Sequence, residues 1–209
     1  MRQTRFLHIP SVWRAPIPRQ SYLFYDLETT GINPAFAQPV RFAAKRTTPD
    51  FKVIEEHTIN ICMRSDVIIE PSAAVVNRLG PEHLQCGDNE YEAAKTIHEM
   101  VIGRKSLGYN SFAFDDLFLR FLFYRNLLNP YSHQHANGCG RMDVYPITVA
   151  AFYLYPELLK WPLKKGKDKV SFKLEDINTA NRLFDGQAHD AMTDTTVTLE
   201  LAKRLSKNY

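Results

Sequence analysis

Ser21-Tyr22-Leu23-Phe24-Tyr25-Asp26-Leu27-Glu28 is an aromatic and aliphatic run of the kind that fills a buried strand. Two acids, Asp26 and Glu28, interrupt it. The two-residue period of a strand places both on one face of a sheet. Thr30-Gly31-Ile32-Asn33-Pro34 then punctuates the chain as a turn. Residues 40–47 and 53–63 read as two further strands. Thr48-Pro49-Asp50 joins them as a hairpin, so this part of the sheet is expected to be antiparallel.

Helical patterning follows. Asn89 with Glu92 makes a capping-box pattern, and Tyr91, Ala94, Ile97, His98 and Val101 succeed it at helical spacing. Residues 106–110 read as a short strand. Phe114, Leu117, Phe118, Phe121, Leu122 and Leu128 form one apolar helical stripe. Residues 129–141 read as a loop, 143–155 as a helix and 156–170 as a long basic loop. Ser171 stands where it would cap a helix reaching about residue 183. A last helix is expected over about 188–206, with Ala191, Thr195, Val197, Leu201 and Leu205 buried. Three meandering strands followed by alternating helix and strand predict an α/β domain, a mixed sheet of antiparallel meander plus parallel strands flanked by helices.

Composition sets the outer bounds. The 209 residues are 44% hydrophobic and 23% charged, which excludes a wholly disordered chain and suits one domain. No apolar run approaches the roughly 18 residues that span a bilayer. A net charge of +3 permits a polyanionic partner without demanding one. Cys62, Cys86 and Cys139 are scattered and odd in number, so a reducing compartment is expected. Residues 1–20 hold Arg2, Arg5, Arg14 and Arg19 and no acid, and read as a basic arm. Pro10, Pro16 and Pro18 oppose the amphipathic helix of a transit peptide.

Acids within apolar elements carry the chemistry, because burying an unpaired charge is costly. Asp26 and Glu28 repel each other unless a cation or proton sits between them. Asp115 opens an apolar helix, and Asp116 stands four residues before Arg120, the spacing of a surface ion pair. Asp190 can cap the last helix. Asp194 reads as too deep in that helix to be a first-turn acid, and His189 becomes a base candidate beside these acids. Four carboxylates without paired Cys or His suit Mg²⁺ or Mn²⁺ rather than structural zinc. They are expected to converge on two such ions, the arrangement that cleaves a phosphodiester in line.

Asp26-Leu27-Glu28-Thr29-Thr30-Gly31, Tyr109-Asn110-Ser111-Phe112-Ala113-Phe114-Asp115 and His189-Asp190-Ala191-Met192-Thr193-Asp194 resemble, in order and separation, the DEDDh family of 3′→5′ exonucleases, which share an RNase H-like fold. The likeness reaches the nuclease domain of the bacterial exonuclease I group through Pro39-Val40-Arg41-Phe42-Ala43-Ala44, Trp161-Pro162 and Ser171-Phe172-Lys173-Leu174-Glu175. It covers about residues 21–206, so the chain divides into an arm over 1–20 and a nuclease domain over 21–209.

The resemblance implies that Asp26, Glu28 and Asp194 hold the ion that activates water and that Asp26 also bridges to a second ion. It implies that Asp115 supports the pair and His189 is the general base. Asp190 stands where the tyrosine branch of the superfamily has its tyrosine, which indicates the histidine branch. Thr29, Thr30 and Gly31 are expected to contact the terminal nucleotide, with Asn110 beside them. Phe112 or Phe114 would pack on a base, or in the core. Lys164, Lys165 and Lys167, within a basic stretch from Lys160 through Lys169 to Lys173, would track a strand backbone or be solvated.

The resemblance thus implies a 3′→5′ exonuclease of single-stranded DNA that needs a free 3′ end, uses two Mg²⁺ ions (Mn²⁺ substituting) and works in the cytoplasm. An exoribonuclease of the oligoribonuclease or RNase T kind, a catalytically silent single-strand-binding module and a proofreading subunit are the alternatives. Members of the exonuclease I group are normally more than twice this length, so high processivity and docking to single-strand-binding protein are not expected of this chain.

Overall fold

The computed structural model describes residues 21–78, 80, 84–135, 137–186 and 188–207, and the basic arm at 1–20 lies outside them. The run at Ser21 becomes β1 (Tyr22–Thr29), followed by β2 (Pro39–Thr47) and β3 (Val53–Asn60). Helices α1 (Pro71–Asn77) and α2 (Glu90–Val101) lead to β4 (Lys105–Gly108) and α3 (Asp115–Arg125). Then come β5 (Gly140–Asp143), α4 (Val144–Leu154), a single 3₁₀ turn at Pro156–Leu158, α5 (Leu174–Asn181) and α6 (Ala191–Ser206).

The sheet runs β3-β2-β1-β4-β5. β1 pairs antiparallel with β2, and β2 with β3, while β1–β4 and β4–β5 are parallel. The mixed α/β sheet expected from the pattern is therefore present. Alternation along β1 divides the core in two. Leu23, Tyr25 and Leu27 face α2 and α3, packing with Ile97, Phe118, Leu119 and Phe123. Phe24 faces the other way, with Val144, Ile177, Leu199 and Leu201 from α4, α5 and α6. Asp26 and Glu28 share the parity of Phe24, so they lie on the α6 side.

Several boundaries differ from the sequence reading, each for a physical reason. β3 ends at Asn60, beyond which Ile61 bridges Asp88 and donates its N–H to Val40 O at 2.8 Å. The strand expected over 106–110 is Lys105–Gly108, because Asn110 turns to φ +58°. The stripe of α3 is rotated: Phe118, Leu119, Leu122 and Phe123 are the buried set. α1 and β5 had no distinct signal. α1 buries none of its residues, and β5 forms by docking Gly-Arg-Met-Asp beside β4. Ser171 does not cap α5; its hydroxyl donates to Asp176 Oδ2 at 2.5 Å, and the helix starts at Leu174. α6 starts at Ala191, because His189 sits at φ +60° and Asp190 is the N-cap.

Among the described residues no helix is long and apolar enough to cross a membrane.

Candidate active site

β1, α3 and α6 bring the acids to one end of the sheet. Ala43 on β2 stands opposite Asp26 in register, and its carbonyl accepts the Thr195 hydroxyl of α6 at 3.4 Å. A methyl-sized residue there lets the first turn of α6 lie over the acids of β1. Asp194 belongs to that first turn, which corrects the expectation that it sits too deep for a first-turn acid. Its Oδ2 accepts the His189 backbone N–H at 3.2 Å. Asp115 opens α3, and its Oδ1 accepts the Leu27 N–H at 3.2 Å, between the two acids of β1.

Desolvation and mutual repulsion dominate the electrostatics. Burial pushes Asp26 well above the carboxylate range, helped by the charges of Asp115, Glu28, Asp194 and Asp190. Burial lifts Glu28, only 6% exposed, to about 8, with Asp194 adding to the rise and Arg41 opposing it. Asp115, 4% exposed, is lifted to about 7 by burial, against the backbone hydrogen bonds it accepts. Burial lifts Asp194 to about 6, opposed by His189.

As they stand, no three such side chains among the described residues close around a single point, so the expected cage is a shared field rather than a formed cluster. Carboxylates whose proton affinity burial has raised in this way nevertheless supply the oxygen donors that suit a hard divalent cation, which would displace their protons.

His189 is half exposed, and its Nε2 stands 3.0 Å from Glu175 Oε2 at the start of α5. Glu175 also takes Lys173 Nζ at 3.1 Å. Asp190 accepts the Thr193 N–H at 3.1 Å through Oδ2, while its Oδ1 faces Arg41 Nη1 at 3.4 Å. Arg41 is the register partner of Glu28. It ties β2 to the start of α6 and supplies a positive charge beside the acids. Sequence reasoning gave Glu175 and Arg41 no role, although both lay inside the stretches that carried the resemblance.

The remaining candidates separate by what their atoms already do. The Thr29 hydroxyl donates to Gly31 O at 2.7 Å, and the Thr30 hydroxyl accepts the Gln38 N–H at 2.9 Å. These hydroxyls fix the loop after β1. A Cβ at Gly31 would come within 2.2 Å of Glu70 Oε1, so a larger residue there would displace the end of the Glu70 side chain. Asn110 in its left-handed turn and Phe112 both donate backbone N–H groups to Asp143, at 2.8 and 3.1 Å. Phe112 is 47% exposed, with the Arg141 guanidinium 5.1 Å from its ring centroid. Phe114 packs on Phe118 at 4.7 Å and belongs to the core. Lys164, Lys165 and Lys167 line a cleft of about 840 Å³ together with Asn110, His189 and Asp194. Asp26, Glu28 and Asp115 are not part of that lining.

Asp116 overturns the expected pair with Arg120. It is buried, accepts the Tyr25 hydroxyl at 3.2 Å, faces His133 Nε2 at 3.4 Å and binds Arg141. Burial alone would raise its carboxyl, but the His133 ring and the Arg141 guanidinium beside it bring it below the usual range. Arg120 lies instead over the Tyr131 ring, 5.3 Å from its centroid. The signal missed was an acid at helix position 116, on the face that carries Leu119 and Phe123.

Known proteins resemble this chain in sequence and in fold. The exonuclease family model of RNase T type matches residues 23–202. Exodeoxyribonuclease I of Escherichia coli K12 is 37% identical over 189 residues, covering 88% of this chain and 40% of that protein. Exodeoxyribonuclease I of Buchnera aphidicola from Schizaphis graminum is 35% identical over 191 residues, covering 90% and 39%. The chain thus spans about two fifths of the length of the curated relatives it matches. The crystal structure of E. coli exonuclease I with a dT13 oligonucleotide superposes with a TM-score of 0.86 at 33% identity, over 90% of this chain and 41% of that one. A zinc-bound E. coli exonuclease I complex with single-stranded DNA superposes with a TM-score of 0.85 at 33% identity, over the same shares. The sheet and its helices are therefore the RNase H-like fold of these nucleases.

Proposed function

The chain belongs to the RNase T-type exonuclease family, and from that premise we propose that it removes 5′-mononucleotides one at a time from the 3′ end of single-stranded DNA. Residues 21–209 would form the nuclease domain. The observation that carries the reading is the gathering of Glu28, Asp115 and Asp194 around Asp26, where the charges of all three add to burial in raising the Asp26 carboxyl. Exonucleases of this family work with divalent cations. Here Asp26, Glu28 and Asp194 would hold the ions directly, with Asp115 supporting them from the start of α3. Two Mg²⁺ ions, or Mn²⁺ in their place, would supply Lewis-acid chemistry at the phosphate when bound.

The chain's own groups then have defined tasks. His189 takes the proton of the attacking water as the new O–P bond forms and the P–O3′ bond breaks. The departing 3′ oxygen gains its proton from solvent. Glu175 holds the imidazole that receives the water's proton. The loop at Thr29-Thr30-Gly31 and the exposed Phe112 face the terminal nucleotide. The names of the matched relatives favour DNA over RNA, and the scattered thiols agree with work in the reducing cytoplasm.

Digestion of 5′-labelled DNA and RNA oligomers, with Mg²⁺ and with chelator, tests the proposal. A ladder shortening from the 3′ end of DNA, abolished by chelator, is expected. Equal cleavage of RNA would overturn the sugar assignment, and cleavage in chelator would overturn the metal assignment.

A further inference from the structure

We infer that the hairpin at residues 162–171 is a second contact for the strand, holding the phosphate backbone of single-stranded nucleic acid upstream of the 3′ end. This inference rests on the exonuclease reading of the adjoining cleft.

The segment is built rather than loose. Leu163 and Val170 bridge antiparallel, and the Lys164 N–H donates to Lys169 O at 2.8 Å. Lys167 N–H closes the turn on Lys164 O at 3.0 Å, with Gly166 at φ +69°. Below the turn, Ser171 N–H donates to Pro162 O at 2.8 Å. The base is pinned by Trp161, whose indole N–H donates to Pro156 O at 2.7 Å and whose ring packs edge-on against Phe152 and Phe172.

On this scaffold Lys164, Lys165 and Lys167 are exposed and pair with no carboxylate among the described residues. Lys173, by contrast, is taken by Glu175. The three free cations line the same cleft as His189 and Asp194. A site floored by carboxylates repels a polyanion at a distance, and unpaired lysines on its wall reverse that field. Ammonium groups on flexible stems grip phosphates as point charges and do not read bases. Tyr145, a partly exposed aromatic, lines the cleft beside them and suits an unpaired base rather than a stacked duplex.

The test compares the full chain with a variant carrying Lys164→Gln, Lys165→Gln and Lys167→Gln. Binding of a 5′-fluorescein oligothymidylate of about 20 nucleotides with hydrolysis-resistant phosphorothioate linkages is followed by anisotropy across KCl concentrations. Each single-strand phosphate contact contributes about 0.7 to the slope of log K against log salt, so the variant's slope should be shallower by about 2. In parallel, kcat/KM is measured on hydrolysable oligothymidylate and on thymidine 5′-(p-nitrophenyl phosphate), which is too small to reach the hairpin. The ratio of long to small substrate should fall about tenfold or more.

Equal salt slopes, or equal losses on both substrates, would overturn the inference. A shallower slope in a protein that hydrolyses neither substrate would uphold the hairpin contact while refuting the nuclease reading. The melting temperature should stay within about 2 °C, because the three side chains touch nothing that a fold depends on.

Discussion

His189 sits at φ +60° with its Nε2 held by Glu175, so the proposed base depends on a carboxylate supplied by α5. A carboxylate at one imidazole nitrogen fixes the orientation of the ring and which nitrogen faces the water. Glu175→Gln should therefore lower kcat about 10-fold with KM little changed, and Glu175→Asp should recover part of the loss. Steady-state kinetics on a DNA oligomer decide it; a loss confined to KM would mean that Glu175 binds substrate instead. His189→Ala should cost about 10²-fold or more in kcat. Asp26→Asn and Asp194→Asn should lower turnover about 10³-fold or more while leaving circular dichroism unchanged. Near-normal turnover in either variant would refute their assignment as metal ligands.

At the scale of elements, the start of α3 is the joint on which the site turns. Asp115 looks toward β1 while its neighbour Asp116 is anchored from behind by Tyr25, His133 and Arg141. Arg141 lies on β5, the strand formed only by pairing with β4, and its guanidinium also covers Phe112. Arg141→Met would leave a buried carboxylate without its cation, a change that typically costs about 3–5 kcal/mol. Urea unfolding should show that loss, and adding Asp116→Asn should restore much of it. A single variant as stable as the parent would show that the pair contributes nothing. Asp190, which caps α6 and meets Arg41, is a milder case: Asp190→Ala should cost about 1 kcal/mol by the same measurement.

The whole molecule stores the repulsion of its acids. Glu28, Asp115 and Asp194 have folded values of about 8, 7 and 6, above those of an unfolded chain. Between about pH 4 and pH 8 the folded protein therefore holds protons that the unfolded chain has released, and stability falls as pH rises through that window. In chelator the melting temperature should drop from about pH 5 to pH 8, by about 2–4 °C for each kcal/mol lost. Mg²⁺ or Mn²⁺ should cancel most of the drop, because a cation replaces the protons. A melting temperature that is flat with pH in chelator would contradict this electrostatic account. The β1 alternation, the hairpin at Thr48, the Asn89 cap and the acids at 26, 28, 115 and 194 were readable along the chain, since periodicity, turn chemistry and misplaced charge are local signals. α1, β5, the Glu175–His189 contact and the burial of Asp116 were not. A four-residue strand such as Gly140–Asp143 exists only because β4 offers it partners, and an acid's partner can lie on any element that packs against it. Sequence alone determined the β1–β2–β3 meander, the faces of β1 and the identity of the carboxylates, because each is set by neighbours a few residues away. Tertiary structure alone decided which helix meets which strand and so which charges face one another, because a field between side chains depends on their distance through space and not along the chain.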